Sequence, residues 1–288
     1  MSLGVPLSDE KTIGPLTKIE FLGIDLDSIT FQASLPKEKL DRISLLISNF
    51  LEIPSCSKQQ LLQLLGHLNF ATRIIPQGRS FISHLLHLAA SVPSLHHQVS
   101  LDLECRIELR LWHLLLSNWN GISFFYNDFY SSPEDLQLFT DAAPSVGFGG
   151  YYQGRWFADK WPAELFVPPF DSAHSSALFE LYPVIVAASL WGHEWTSRSV
   201  LIHSDNQSTV NIINKGRSPS LPLTALLRRL TWLSVTHNFL IQAAHIPGHH
   251  NEIADSLSRF QFQRFRLLAP SADLHPVPVP PFSAMTFP

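Results

Sequence analysis

Only two cysteines, Cys56 and Cys105, occur in 288 residues, which excludes a disulfide framework and a Cys-rich zinc site. A reducing compartment is the simplest inference. Charge is scarce too: 15% of residues are charged, the formal net charge is −4 and the pI is about 6.4, so no overall basic excess advertises a polyanionic partner. The apolar stretch Leu181–Leu190 carries Pro183 and falls short of the ~20 residues that cross a bilayer. The opening MSLGVPLSDEKTIGPL lacks a charged-then-apolar leader pattern. A soluble protein is expected. Its 45% hydrophobic content is enough to bury a core, suggests one to three domains and argues against a disordered chain.

Four carboxylates stand out by their settings. Leu136 and Leu138 alternate ahead of Asp141, and GFGGYY follows, which predicts a strand running into a hairpin. Glu180 lies early in the helical stretch SSALFELYPVIVAASLWG. The apolar run Val200–Ile202 ends in His203-Ser204-Asp205, and a helical pattern through Val210 and Ile213 closes at Gly216. Asp205 is thereby placed at the carboxyl end of a strand, where open α/β sheets carry their sites. A short strand through Phe239, Ile241 and Ala243 meets a Pro247-Gly248 break, and Asn251 is positioned to cap a helix that holds Asp255 one turn in. Glu252, three residues earlier, adds negative charge beside Asp255.

Carboxylates gathered in this way suit phosphodiester hydrolysis. The reaction builds negative charge on the attacking and leaving oxygens, and two Mg²⁺ ions ~3.5–4 Å apart stabilise both. Mg²⁺ takes hard oxygen ligands, so Asp and Glu are the natural donors, with Mn²⁺ as a substitute. Without metal the acids repel one another, which raises some of their pKa values and couples their titrations. Taken singly, each acid has a plainer reading: Asp205 as a helix N-cap, Asp141 as a turn former, Glu180 and Asp255 as solvated helix positions.

The order strand end, early helix, strand end, early helix resembles the type 1 ribonuclease H domain, most closely the version fused to retroelement reverse transcriptases. The resemblance implies a ribonuclease H-like α/β fold, a mixed sheet flanked by helices. It also implies Asp141, Glu180, Asp205 and Asp255 as metal ligands, and the RNA strand of an RNA/DNA hybrid as substrate. Choosing RNA requires sensing 2′-hydroxyls in a wide minor groove, so little base specificity is expected. The family also has a mobile histidine six residues ahead of the capping asparagine. Counting back from Asn251 reaches His245, with His249 and His250 as alternatives nearer the helix.

Between Asn206 and Asn251 there is no Asp or Glu, while Lys215, Arg217, Arg228 and Arg229 all fall there; these are candidate phosphate contacts, or else an ordinary solvated helix face. Two departures from the family pattern are visible. Pro183 follows Glu180 by three residues and costs ~3 kcal/mol inside a helix unless it lies in the first turn. The second is Ser218-Pro219-Ser220-Leu221-Pro222, which stands where a separate basic helix would follow Gly216.

The front of the chain is different in kind. KIEFLGIDLDSITF reads as a hairpin with Asp27-Ser28 at its turn. Leu40, Ile43, Leu46, Ile47 and Phe50 trace one helical face, and Ser57-Lys58-Gln59-Gln60 is a capping-box pattern ahead of Leu61, Leu64, Leu65 and Leu68. Further helices are predicted around Phe81–Ala90 and Leu101–Trp119. FLGIDLDS followed by LLQLLGHLNFATRIIP is similar to the palm end and the thumb or connection region of a reverse transcriptase. No Tyr-x-Asp-Asp motif occurs, and Asp25 and Asp27 read as hairpin residues, so polymerase activity is not expected, although an upstream polymerase domain is an implied partner.

The expected organisation is a palm-end hairpin remnant over 1–35, a helical thumb- or connection-like region over 36–126, a hinge over 127–135, a ribonuclease H-like domain over 136–260, and a Pro-rich tail over 261–288. Six prolines from Pro270 to Pro288 predict an extended, linker-like tail. With NEIADSLSRF and FRLLAPSADLHPVPVP, the whole resembles DIRS-like, tyrosine-recombinase retrotransposons. Two other functions remain open at this stage: a non-catalytic nucleic-acid-binding module that keeps the fold, and a DNA-directed nuclease that also uses carboxylates and two metals.

Overall fold

A computed structural model describes residues 13–118, 123–124, 136–168, 170, 175–196, 198–218 and 220–286. The fold is mixed α/β and divides into two compact units, one spanning Met1–Pro76 and His84–Phe125, the other Gln77–Ser83 and Tyr126–Pro288. The hinge expected over 127–135 lies outside the described residues.

In the first unit, strands β1 (Lys18–Phe21), β2 (Ile24–Asp27), β3 (Gln32–Ser34) and β6 (Ser123–Phe124) form an antiparallel sheet in that order. The first hairpin turns at Leu22-Gly23, not at Asp27-Ser28. Leu22 and Gly23 both take positive φ, 50° and 78°, the backbone that a two-residue hairpin needs. Asp27-Ser28 instead opens the second turn, where the Asp27 carboxylate accepts the Ile29 and Thr30 amides at 2.9 and 3.1 Å.

Helix α1 (Lys37–Glu52) buries Ile43, Ile47 and Phe50. Helix α2 (Lys58–Ala71) starts at the anticipated capping box, with the Ser57 and Gln60 side chains each accepting the other's backbone N–H. The small pair β4 (Ser55–Ser57) and β5 (Gln98–Ser100) runs antiparallel beside them. Helices α3 (Ser83–Ala90) and α4 (Leu103–Asn118) occupy the two stretches predicted for them. Their junction contains a fully buried acid: the Glu108 carboxylate accepts the His84 and Leu85 amides at 3.0 Å, closing the exposed N–H groups at the start of α3.

The second unit is built on five strands, β7 (Gln137–Ala143), β8 (Gly147–Tyr152), β9 (Arg155–Asp159), β10 (Ser199–Ser204) and β11 (Leu240–His245), in spatial order β11-β10-β7-β8-β9. The first three form an antiparallel meander; β10 runs parallel to β7, and β11 parallel to β10. Helices α5 (Ser176–Trp191) and α7 (Leu221–Thr236) bury Leu178, Leu181, Ile185, Leu226 and Leu230 in one core with Leu138, Phe148, Val200 and Ile202 of the sheet. Helix α6 (Gln207–Lys215) packs on β10 and β11, and α8 (Glu252–Ser258) on β7 and β8.

The approach of α8 depends on Gly149. A Cβ there would come within 2.5 Å of Leu257 Cβ and 3.0 Å of the Ser258 amide nitrogen, so a side chain would push the helix off the strand. Gly149 stands opposite Asp141 in register, which puts that close approach directly beside the first acid.

The C-terminal segment departs from the expected linker. A helix, α9 (Phe262–Leu268), forms where periodicity was not legible. The Pro-rich stretch beyond it is extended but docked: Asp273 and Val277 donate their amides to the carbonyls of Gly154 and Trp156 at 2.9 and 2.8 Å. Met285 is fully buried, and Phe282 packs on Tyr182 and Phe170. The physical reason lies between the prolines. Val277, Val279, Phe282 and Met285 supply apolar side chains to the core, and proline's fixed extended backbone lays them along the edge of the sheet. No helix among the described residues is long and apolar enough to cross a membrane.

Candidate metal centre

Asp141, Glu180 and Asp205 each offer a carboxylate oxygen within 4.8 Å of the others. Three elements bring them there. Asp141 lies near the end of β7; Glu180 is the fifth residue of α5; Asp205 directly follows β10, which pairs in parallel with β7. Ser175 caps α5 by accepting the Leu178 amide, so the helix starts well before Glu180 and Pro183 falls in its interior, not in its first turn. Pro183 is buried and lacks the N–H that would reach back to residue 179, yet α5 continues to Trp191 with Val184, Ile185 and Val186 packed around it. Downstream of Asp205, the Asn206 side chain caps α6 by accepting the Ser208 and Thr209 amides at 3.0 and 3.1 Å, and Gly216 closes the helix at φ 64°.

Burial and mutual repulsion set the electrostatics. Glu180 is 7% exposed; burial, then the neighbouring Asp141 and Asp205 charges, push its pKa up to about 9, with partial relief from the Ala142 amide. Its Oε2 is buried without a hydrogen-bond partner. Asp141 rises to about 6, chiefly through burial and despite the hydrogen bond from Ser258, with Asp205 and Asp255 adding to the rise. The Ser258 hydroxyl meets Asp141 Oδ2 at 2.5 Å and lies 3.0 Å from the Asp255 carbonyl. Asp205 is exposed.

Such a cluster fits a divalent cation on its own chemistry. An unpartnered buried oxygen costs roughly 1–3 kcal/mol, and hard oxygen donors are what Mg²⁺ or Ca²⁺ takes. The three acids could bind a metal ion, which would supply both the missing partner and the missing positive charge.

Asp255, the fourth expected ligand, is not in this trio. Its Oδ1 accepts from Arg259 Nε at 2.6 Å and its Oδ2 from Arg264 Nη1 at 2.6 Å. Burial would raise its pKa, but these two guanidinium groups hold it below the ordinary value. Glu252 likewise pairs with Arg264, at 3.1 Å. Asn251 occupies the capping position of α8 without capping it. Its side chain crosses to donate to the Thr140 carbonyl at 3.0 Å, tying the helix start to the strand that carries Asp141.

His245 ends β11, and its Nε2 lies 3.0 Å from the Asp205 carbonyl oxygen. His249 and His250 sit in the following turn, with ring centroids 4.2 Å apart. The turn passes close to the cluster, since a Cβ on Gly248 would stand 3.4 Å from Asp205 Oδ2. Among the expected phosphate contacts, Lys215 and Arg217 are exposed. Arg228 is 5% exposed and Arg229 half-buried, with its Nε unpartnered, so these two do not form a solvated basic face. They sit among Leu226, Leu227 and Leu230 on a helix that is apolar on most sides, a pattern that a count of local charge does not reveal.

Sequence reasoning missed three members of this neighbourhood. Arg259 was legible as an (i, i+4) partner of Asp255. Ser258 and Arg264 carried no such signal, because their partners lie on another element. Comparison of the chain with models of protein families and with curated proteins gives no match.

Proposed function

We propose that this protein is a metal-dependent endonuclease that hydrolyses the RNA strand of RNA/DNA hybrids, a type 1 ribonuclease H of a retroelement, most like those of DIRS-like elements. The observation that carries this reading is the trio Asp141, Glu180 and Asp205, with a buried Glu180 oxygen that has no protein partner. The sheet supports it. It is a mixed sheet flanked by helices, as the resemblance implies, with Asp141 near the end of β7, Asp205 directly after β10 and Glu180 on α5.

Asp141, Glu180 and Asp205 would hold Mg²⁺, or Mn²⁺ in its place. When bound, such ions stabilise charge on the attacking and leaving oxygens of the phosphodiester. The rest falls to the chain. Ser258 fixes one oxygen of Asp141. Glu180 presents its carboxylate from a largely buried position on α5. His245, whose Nε2 meets the Asp205 carbonyl, would carry a proton to or from a reacting group through its other ring nitrogen. Lys215 and Arg217, exposed at the end of α6 and just beyond, are available to phosphates of the hybrid.

A second reading, a nucleic-acid-binding module without turnover, draws on one observation: both oxygens of Asp255 are already occupied by arginines. Incubation of the purified chain and Mg²⁺ with labelled RNA/DNA hybrid, RNA duplex and DNA duplex separates the readings. Cleavage of the hybrid's RNA alone, abolished by Asp205→Asn, is expected. Binding of hybrid without cleavage would establish the second reading, and cleavage of DNA duplex would move the protein to the DNA-directed nucleases.

A further inference from the structure

Asp255 stands next to the acid trio and is withheld from it. The Ser258 hydroxyl bridges the two, touching Asp141 Oδ2 and the Asp255 carbonyl, and the Asp255 charge is felt at Asp141. Yet the carboxylate is held at both oxygens, Oδ1 by Arg259 and Oδ2 by Arg264. The two arginines differ in kind. Arg259 sits one turn along the same helix, an ordinary (i, i+4) pair that any rotamer change can open.

Arg264 comes from α9, reaches Glu252 with its second nitrogen and also donates to Gln261 Oε1 at 3.2 Å. One guanidinium thus bridges two acids of α8, a fork contact a lysine does not reproduce. Its backbone is fixed from behind: Phe265 is fully buried with its ring 4.9 Å from that of Trp156, and Arg266 donates to the carbonyls of Ala272, Asp273 and Leu274. The Arg264 side chain remains 38% exposed, so a competing charge can reach it.

We propose that Arg264 is a latch on Asp255. With the latch closed, the chain takes up one divalent cation, on Asp141, Glu180 and Asp205. A second cation is admitted only when Arg264 releases Asp255. The C-terminal segment, by anchoring α9, thereby sets how many ions the centre holds. This inference rests on the metal-centre reading above and adds to it a positioning residue outside the acid set.

The test counts Mn²⁺ ions bound to the full chain by calorimetric titration, with thermal melting to confirm folding. Wild type is expected to bind one ion and Arg264→Gln two. A mere change of field would act on the first ion as well and would not need Asp255. The double variant R264Q/D255N is therefore expected to return to one ion, and Asp255→Asn alone to keep the wild-type count of one. Should Arg264→Gln fail to melt cooperatively, Arg264→Lys keeps the charge without the fork and is expected to admit the second ion.

One ion in wild type and in both Arg264 variants, at equal affinity, overturns the latch and leaves the metal centre standing. Two ions in wild type also overturn it. No Mn²⁺ binding in wild type, with Glu180→Gln indistinguishable from it, removes the metal centre and the latch together.

Discussion

Among the described residues each unit buries one glutamate, and the two are treated in opposite ways. Glu108, at the junction of α3 and α4, is fully enclosed, but its oxygens receive the amides of His84 and Leu85, so its burial closes a helix start. Glu180 is almost as enclosed and has an oxygen with nothing to accept from, two further acids close by, and a pKa raised by burial and by those acids to about 9. Burial alone therefore says little about function. What distinguishes the second site is a buried acid whose charged form the fold leaves uncompensated.

The sharpest way to break this contrast is to remove each acid. Glu108→Ala strands buried amides at the start of α3 and is expected to destabilise the first unit by about 3 kcal/mol, read by denaturant unfolding, with no dependence on divalent metal. Glu180→Gln is expected to do the reverse in metal-free buffer, stabilising the protein at pH 8 by on the order of 2 kcal/mol. The sign follows from the direction of the shift. An acid whose folded pKa lies above its unfolded value of about 4.5 favours the protonated native state, so metal-free stability is greatest below that value and declines as pH rises towards about 9.

Wild type should show that decline in melts between pH 5 and 9, and Glu180→Gln should flatten it. Mn²⁺ should restore stability in wild type increasingly over the same range, because cation and protons compete for the same oxygens. A pH-independent difference between the two proteins would undo the contrast. A finer probe is Ser258→Ala. The hydroxyl lowers the Asp141 pKa, so its loss lets that pKa climb further and should weaken Mn²⁺ binding by about fivefold, or ~1 kcal/mol, together with a fall in metal-free melting temperature, because a buried Asp141 oxygen loses its partner.

Much of the second unit could be read from its residues because β7 and β10 are short runs with an acid near or just past their ends, and ends are what the local pattern marks. β10 and α6, with Gly216 at the close, follow directly from Val200–Ile202, Val210 and Ile213. Other features escaped because they depend on partners remote in sequence. Asn251 looks like a cap and is instead a tie to β7; Arg228 counts as basic surface and is buried; Arg264 lies in a helix too short to announce itself. The Leu22-Gly23 turn was overlooked because Asp27-Ser28 carries the stronger turn composition, whereas backbone sign decided the matter. The ordering of α8 against the sheet was visible only as glycines in GFGGYY, and their meaning, room for Leu257, needed the helix in place.

Met285, enclosed in the same core as Leu181 and Ile185, has a consequence for biogenesis. On a chain emerging from the ribosome, the part of that interior which Met285 covers lacks its cover until residues near position 285 have cleared the exit tunnel. The acids are thus translated long before the packing behind α5 is sealed, and a nascent chain stalled short of that point would expose the apolar underside of the helix that carries Glu180.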